Sequence, residues 1–216
     1  MKKQAGFTLI ELAIVLVIIG LLLGGVLKGQ ELINSAKVKN MASDFKNTQV
    51  YIYGYQDKYR ALPGDDKAAS AHLGTGLPSD NGNGNGVIEG QWNSVLTTDE
   101  SVLFWRHVRL AGLAAGPTNI SDAAYFPTNA DGGRLGVQSV SGFTTITGPT
   151  PMTGAYVICS DGILGKFAIQ LDSTLDDGEA STGSVRVIKS GTTGAALTTA
   201  AINLLPSDTY TVCLAF

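Results

Sequence analysis

The chain has 216 residues, enough for one domain with its own hydrophobic core, with or without an extended element. Charged residues make up only 15% of it and the formal net charge is −3, a composition unlike that of a charge-coated cytosolic protein. The sequence shows no basic patch after its N-terminal region, which argues against nucleic-acid binding.

A long apolar segment lies near the N-terminus. Leu12–Leu27 carries no charge, and with the residues back to Phe7 it reaches about 20 residues, which as a helix spans the ~30 Å core of a bilayer. Lys2 and Lys3 precede it, and they favour a cytoplasmic start with the following residues exported. A secretory signal peptide is the alternative, but the apolar segment is too long and no small-x-small cleavage site precedes the polar sequence. We therefore expect a transmembrane helix.

Glu11 places a carboxylate inside this apolar segment. A charged side chain well inside a membrane costs roughly 2.5–3.5 kcal/mol on insertion scales, so it requires a partner. Neither a signal peptide nor a simple membrane anchor needs such a residue. Glu11 therefore argues against a signal peptide and calls for a partner of opposite charge.

Residues 6–12, GFTLIEL, resemble the processing motif of type IV pilins and pseudopilins. The resemblance implies a leader of residues 1–6, cleaved between Gly6 and Phe7 by a prepilin peptidase that then methylates the new amino group of Phe7. It also implies that Glu11 pairs with the N-terminal amine of a neighbouring subunit. A buried carboxylate and a buried ammonium are each costly alone and stabilise each other at short range.

The apolar segment departs from the family in one place. Many pilins carry a proline soon after the apolar half of the helix, whereas this chain has Lys28 at the corresponding position. Gly20, Gly24 and Gly25 remain, and glycine weakens a helix interior by ~1 kcal/mol per residue. They indicate either a locally unwound segment in a filament or close packing between membrane helices. Both readings stay open from the sequence.

After the apolar segment the pattern becomes amphipathic. Apolar residues recur at steps of three and four from Val38 to Tyr59, which predicts one continuous helix over residues 7–60, with residues 7–27 as its transmembrane and assembly part. The stretch Leu62-Pro63-Gly64 ends it. Such a long stripe is typical of a coiled coil or of a helix packed on a sheet, and the strand-like C-terminal residues favour the sheet.

Residues 61–134 are rich in loop signals, with one short helix near 98–111 that begins at a T-x-x-E capping box, Thr97 to Glu100. From residue 135 the pattern predicts strands at 135–140, 154–160, 166–172, 184–189 and 209–216, with Asp161-Gly162 as a hairpin signal. Residues 171–186 also resemble a recurring stretch of pilin heads. We expect an α+β fold, type IV pilin-like, in which the long helix packs on an antiparallel sheet formed by residues 135–216.

The two cysteines, Cys159 and Cys213, both lie in predicted strands. Export of the globular part would place them in an oxidising compartment, where one disulfide between them is the simplest prediction.

The sequence shows no Ser/His/Asp grouping, no CxxC motif and no metal-spaced histidine pair, so we do not expect an enzyme. One loop, rich in asparagine and glycine, does suggest a specific chemistry, namely metal binding. Its alternating Asn81, Asn83 and Asn85 match positions 1, 3 and 5 of a calcium loop, with Gly86 at position 6. The residue at position 12 is a tryptophan instead of the bidentate glutamate, so half of the pattern is present.

These residues predict a weak calcium site whose ligands are Asp80, Asn81, Asn83, Asn85 and Glu89. The alternative is a flexible turn, since asparagine and glycine both tolerate positive φ.

The resemblance implies a structural subunit of a type IV pilus or related pseudopilus, a homopolymer or a copolymer with other pilins. Its expected partners are prepilin peptidase/methyltransferase and an inner-membrane assembly platform. It would reside in the bacterial inner membrane and then in an extracellular or periplasmic filament. A minor or initiating pilin and a type II secretion pseudopilin are alternatives, and a membrane-tethered extracytoplasmic binding protein is one from another class.

Overall fold

The computed structural model describes residues 8–148 and 150–216. By internal contacts the chain divides into two compact units, residues 1–37 and residues 38–216. The long helix α1 (Leu9–Tyr59) begins in the first unit and ends in the second, as predicted. Its length follows from the sequence, because no proline interrupts residues 9–59 and the first breakers follow at residues 63 and 64.

The described part of the first unit is helical, and its large apolar side chains are exposed. Leu9 is 88% exposed and Leu21 is 74% exposed, far more than a water-soluble helix tolerates along a continuous face. Within the described residues, α1 is the one helix long and apolar enough to cross a membrane by length and composition. Exposed apolar side chains of this extent are typical of a surface that lipid or another protein covers.

In the second unit α1 turns amphipathic and buries one face. The buried positions follow the predicted steps of three and four: Val38, Met41, Ala42, Phe45, Thr48, Ile52 and Tyr55. Phe45 and Ile52 share a core cluster with Val137, Ile158 and Val212, which lie on the sheet. The second half of α1 therefore packs on a sheet, and the predicted α+β fold is confirmed.

The described part of the second unit contains a four-stranded antiparallel sheet in the order β1-β2-β4-β3. Its strands are β1 (Leu135–Ser139), β2 (Tyr156–Leu164), β3 (Val185–Lys189) and β4 (Thr209–Ala215). Helix α2 (Ala69–His72) and helix α3 (Glu100–Leu110) precede the sheet, whereas α4 (Gly165–Leu175) and α5 (Thr199–Asn203) are inserted between its strands.

The sheet is buried on both faces. In β4, Val212 and Leu214 point into the main core, whereas Cys213 and Ala215 point into a second cluster. This alternation is the period of two that a strand imposes on its side chains. The second cluster includes Trp92 and Met152 from the loops that cover the far face.

Cys159 and Cys213 lie directly opposite each other on the central strands β2 and β4. Their sulfurs form a disulfide, with the two residues 54 positions apart in sequence. The predicted disulfide is confirmed, and it links the two central strands of the sheet.

The prediction of a strand over residues 166–172 is wrong, because this segment lies in helix α4. Phe167, Ile169 and Leu171 alternate as a strand would, and this alternation caused the error. The side chains that the fold buries include Phe167, Ala168 and Leu171, whose spacing is helical.

The predicted hairpin at Asp161-Gly162 is also wrong. Both residues lie within β2, where the register against β4 shifts between Ser160 and Ile163 as a bulge. Gly162 has a φ of 69°, a conformation that glycine adopts at little cost. The Asp161 carboxylate accepts hydrogen bonds from the Thr211 hydroxyl (2.7 Å) and from the Ser190 hydroxyl (2.6 Å), which fixes the bulge on the sheet.

The predicted capping box from Thr97 to Glu100 does not form. Helix α3 begins at Glu100, and the Asp99 before it makes no side-chain capping bond. The Glu100 carboxylate instead accepts hydrogen bonds from the backbone N–H groups of Asn83 (2.9 Å) and Glu89 (3.0 Å). Glu100 therefore binds the loop of residues 83–89 instead of capping its own helix.

Candidate functional site: the N-terminal segment and the loops of the second unit

The first turn of α1 contains a capping box that the sequence analysis missed. The backbone N–H of Thr8 donates to Glu11 Oε2 (2.8 Å), and the backbone N–H of Glu11 donates to Thr8 Oγ1 (3.3 Å). The Thr8 hydroxyl also donates to Glu11 Oε2 (2.7 Å). The signal was the T-x-x-E pattern at residues 8–11. The Glu11 carboxylate therefore has a hydrogen-bond partner within its own chain. That partner, Thr8, is neutral and does not balance the negative charge.

Gly6 and Phe7, the predicted cleavage residues, lie outside the described residues. Cleavage between them and methylation of Phe7 therefore stay predictions.

The glycines of the apolar segment leave an open strip on α1. At Gly20, Gly24 and Gly25 a Cβ would meet no heavy atom of the described chain within 4 Å, apart from the adjacent helix backbone. Gly20 and Gly24 stand four residues apart and thus on one face, the spacing that lets another helix approach closely. In the single chain the helix is unbroken across all three glycines.

Residues 1–27 match the family model for the prokaryotic N-terminal methylation motif. The chain carries a type IV prepilin-like signature. This signature supports a protein of the type IV pilin or pseudopilin type and points to a structural protein instead of an enzyme. It also fits membrane anchoring by the apolar helix before assembly. Comparisons with the curated proteins and with the solved structures gave no match.

Outside the prepilin-like signature, the Asn/Gly loop (residues 79–89) wraps around the carboxylate of Asp65. One oxygen of Asp65 accepts from the backbone N–H groups of Gly84 (2.6 Å) and Asn85 (3.0 Å), and the other accepts from that of Gly86 (2.7 Å). Gly84 and Gly86 have φ values of 75° and 85°, which let successive N–H groups converge on one anion. Asp65 is buried, so these bonds supply the partners that its charge requires.

Three of the predicted calcium ligands come together in this loop. The side-chain amides of Asn83 and Asn85 each donate to the Glu89 carboxylate at 2.9 Å. The side-chain oxygen of Asn83 accepts from the backbone N–H of Asn85, and that of Asn85 accepts from the backbone N–H of Val87, so both form Asx turns.

The other two predicted ligands turn to different partners. Asp80 is buried and forms an ion pair with Arg106 at 3.1 Å. The Asn81 side chain accepts from the backbone N–H of Ser70 (2.8 Å). Arg106 lies on α3, so the sequence pattern of the loop alone does not reveal this pairing.

A cavity of about 260 Å³ opens beside the loop and concentrates acidic groups. Asn81, Asn83, Glu89, Asp99 and Glu100 are among the residues that line it. Burial raises the pKa of Glu100, and the charges of Asp65 and Glu89 raise it further against the two backbone hydrogen bonds. The sequence analysis missed Asp99 and Glu100 here, because they lie beyond the loop in sequence.

His107, on α3, is a buried structural histidine. Its Nδ1 accepts from the backbone N–H of Gly64 (2.8 Å), and its Nε2 lies 2.7 Å from the carbonyl oxygen of Asp80. Burial lowers the pKa of His107, which favours the neutral ring with Nε2 protonated. The ring thus connects two loop segments, a packing function consistent with its place on the helix.

Proposed function

We propose that this chain is a structural subunit of a type IV pilus or related pseudopilus, cleaved by prepilin peptidase and polymerised through its N-terminal helix. The observation that supports the proposal most is the prepilin-like signature at residues 1–27, carried by a helix whose apolar side chains lie exposed. In the inner membrane, lipid would cover these side chains. In a filament, the helices of neighbouring subunits would cover them.

Assembly would exchange the partner of Glu11. In the single chain the carboxylate accepts hydrogen bonds from Thr8, which are neutral and local. The methylated amine of Phe7 on a neighbouring subunit would bring the opposite charge, and in a low-dielectric filament core that attraction is stronger than in water. A Glu11 carboxylate that lacks a positively charged partner would therefore favour the addition of a subunit, whose Phe7 amine supplies that charge.

The partners follow from this cycle. Prepilin peptidase would remove residues 1–6 and methylate Phe7, and an inner-membrane assembly platform would extract the subunit from the membrane. The product would be a homopolymer or a copolymer with other pilins, as an extracellular or periplasmic filament. A minor or initiating pilin and a type II secretion pseudopilin would use the same chemistry.

A membrane-tethered binding protein is the second candidate function, and one feature favours it. A cavity of about 720 Å³ in the second unit is lined by residues that include Tyr59, Asp66, Lys67, His72 and Tyr156. Its mixture of aromatic and charged groups is typical of a ligand site. A protein that only anchors itself, however, has no need of Glu11 in its apolar segment.

The test separates pairing from helix capping. Glu11→Val, Thr8→Val and the control Glu31→Gln would each be expressed beside the wild-type chain, and their amounts in the membrane and in sheared filaments would be measured. Glu31 is a suitable control because its side chain is 70% exposed on the same helix and forms a surface ion pair with Lys28.

We expect Glu11→Val to keep or improve membrane insertion and to reduce filament content at least about tenfold, because breaking a buried ion pair costs roughly 3–5 kcal/mol. Thr8→Val removes the hydroxyl of the cap, at a cost of about 1 kcal/mol, and should retain most incorporation. Equal losses in both variants would assign Glu11 to capping, and normal incorporation of Glu11→Val would contradict the pairing.

We also propose that the Asn/Gly loop binds calcium weakly. The support is the group of carboxylates of Glu89, Asp99 and Glu100 that lines the 260 Å³ cavity. The side-chain amides of Asn83 and Asn85, which now donate to Glu89, would turn their oxygens to the ion. Few carboxylates and a glycine-rich backbone would keep the dissociation constant near the extracellular range of ~10⁻⁴–10⁻³ M. Such a site would fill after export.

A further inference from the structure

Helix α4 ends in a cluster of three carboxylates. Asp172 lies in its last turn, and Asp176 and Asp177 follow the helix directly. One oxygen from each of these residues can be chosen so that all three lie within 4.8 Å of one another. Two oxygens bound to one calcium ion at about 2.4 Å lie at most about 4.8 Å apart, so this spacing suits a shared cation.

The carboxylate of Asp172 is the independent observation that points to a ligand. Its side chain is 0% exposed, and among the described residues neither of its oxygens has a hydrogen-bond partner. Buried carboxylates in folded proteins are hydrogen-bonded, paired with a cation or bound to a metal. Among the described residues, Asp172 has neither a hydrogen-bond partner for its carboxylate nor a cationic side chain paired with it.

Its two acidic neighbours are held in place by the following loop. Asp176 Oδ2 accepts from the backbone N–H of Val185 (3.0 Å), at the start of β3. Asp177 accepts from the backbone N–H of Glu179 (2.9 Å) through Oδ1 and from the Thr182 hydroxyl (3.1 Å) through Oδ2. These bonds fix both carboxylates beside Asp172, although like charges repel.

Gly183 makes the close approach of this loop possible. A Cβ at this position would lie 1.9 Å from Asp176 Oδ2, and the residue has a φ of 70°. Any other side chain would displace the carboxylate. The fold therefore brings the acidic groups together by a specific backbone path.

Further acidic charge surrounds the cluster. The carboxylates of Asp177, Asp176 and Glu179 each interact electrostatically with the carboxyl group of Asp172. Glu179 itself accepts hydrogen bonds from Ser181 and Thr199 (2.9 and 3.0 Å), so it stays close as an anion. A cation would stabilise the charged form of Asp172.

We propose that Asp172, Asp176 and Asp177 bind a divalent cation, and that this cation is calcium. Carboxylate oxygens are hard ligands, and calcium accepts six to eight oxygens in irregular geometry, so water can complete the shell of a partly exposed site. Asp177 is exposed and gives the ion access, whereas Asp172 is fully buried. The ion would hold the last turn of α4 to the two residues that follow the helix. The inference is independent of the filament function.

The experiment measures calcium binding to the full-length chain in detergent micelles by calorimetry, after the protein is freed of metal with a chelator. The chain carries Asn83→Ala and Asn85→Ala in every sample, so that the Asn/Gly loop does not contribute. Asp172→Asn and Asp177→Asn are compared with Asp57→Asn, a control whose side chain is 87% exposed on α1.

We expect one calcium per chain, with a dissociation constant that Asp172→Asn and Asp177→Asn each raise at least about tenfold, since groups beyond the direct ligands already change metal affinity about 10–100-fold. Asp57→Asn should leave it unchanged. Binding that is insensitive to both substitutions, or no binding at millimolar calcium, would overturn the proposal. If Asp172→Asn does not fold, the dissociation constant of Asp177→Asn provides the test, because Asp177 is exposed. The melting temperature of the chain that carries only Asn83→Ala and Asn85→Ala gives a second readout. If calcium does not change it, the proposal is wrong, and Asp172 is a buried acid that keeps its proton.

Discussion

Removal of the Cys159–Cys213 disulfide is expected to lower the free energy of unfolding of the second unit by about 4 kcal/mol. The bond closes a loop between residues 54 positions apart, and the loop-entropy relation gives about 4 kcal/mol for that length. Both cysteines are fully buried on the central strands β2 and β4. Replacing them with alanine also removes two sulfur atoms from a packed cluster, so Cys159→Ala with Cys213→Ala should lose somewhat more.

The assay is urea unfolding of the full-length chain in detergent, followed by tryptophan fluorescence. Trp92 is a suitable reporter because it packs in the same cluster as the two cysteines. With a urea dependence of about 2 kcal/mol per molar, the midpoint should fall by about 2 M. The wild-type chain, reduced in the unfolded state and refolded with reductant, is the matched control because it keeps both sulfurs. A midpoint shift below about 0.5 M in the reduced chain would refute the loop-entropy reasoning.

Three further predictions concern processing, calcium and pH. Gly6→Asp should leave the leader attached and the chain in the membrane fraction, which the mass of the intact protein reports; normal cleavage would contradict the signature. In the Asp177→Asn chain, millimolar calcium should stabilise the folded state by about 1–3 kcal/mol. Adding Asn83→Ala and Asn85→Ala should abolish this gain. If calcium leaves the melting temperature of the Asp177→Asn chain unchanged, the loop is only a turn. Burial and neighbouring carboxylates raise the pKa of Asp172 to about 7, so the folded state holds a proton that the unfolded state releases near pH 4. Without calcium, unfolding free energy should fall as the pH rises from about 4 to about 7, and Asp172→Asn should flatten this decline; an identical pH profile in that variant would contradict the assignment.

The features that the sequence predicted correctly rest on local periodicity or on few alternatives. The apolar residues 12–27 and the stripe from Val38 to Tyr59 determine α1, because a long helical period has no competing interpretation. The disulfide was predictable because the chain has two cysteines, both in strand-like segments. Four of the five predicted strands form, at β1, β2, β3 and β4.

The errors arise where tertiary contacts override a short local pattern. The alternation around Phe167 was compatible with a strand, and packing against the sheet selected a helix instead. Asp161-Gly162 has the sequence of a turn but forms a bulge within β2. The strand continues past it because β2 pairs with β4, and not with the segment that follows β2 in the chain.

The candidate sites depend even more on distant residues. The Asn/Gly loop was visible in sequence, but Asp65 reaches its centre from the segment that follows α1, and Glu100 reaches it from α3. The acidic cluster at Asp172 was not visible, because only the structure shows that one carboxylate of the series is buried without a hydrogen-bond partner in the described chain.

The most direct test of the filament proposal is the N-terminal peptide of sheared surface or periplasmic filaments, identified by mass spectrometry. The account predicts that this chain is a component of the filaments and that its first residue is Phe7, N-methylated. A chain that starts at any other residue, or that stays in the membrane fraction and is absent from the filaments, would contradict it.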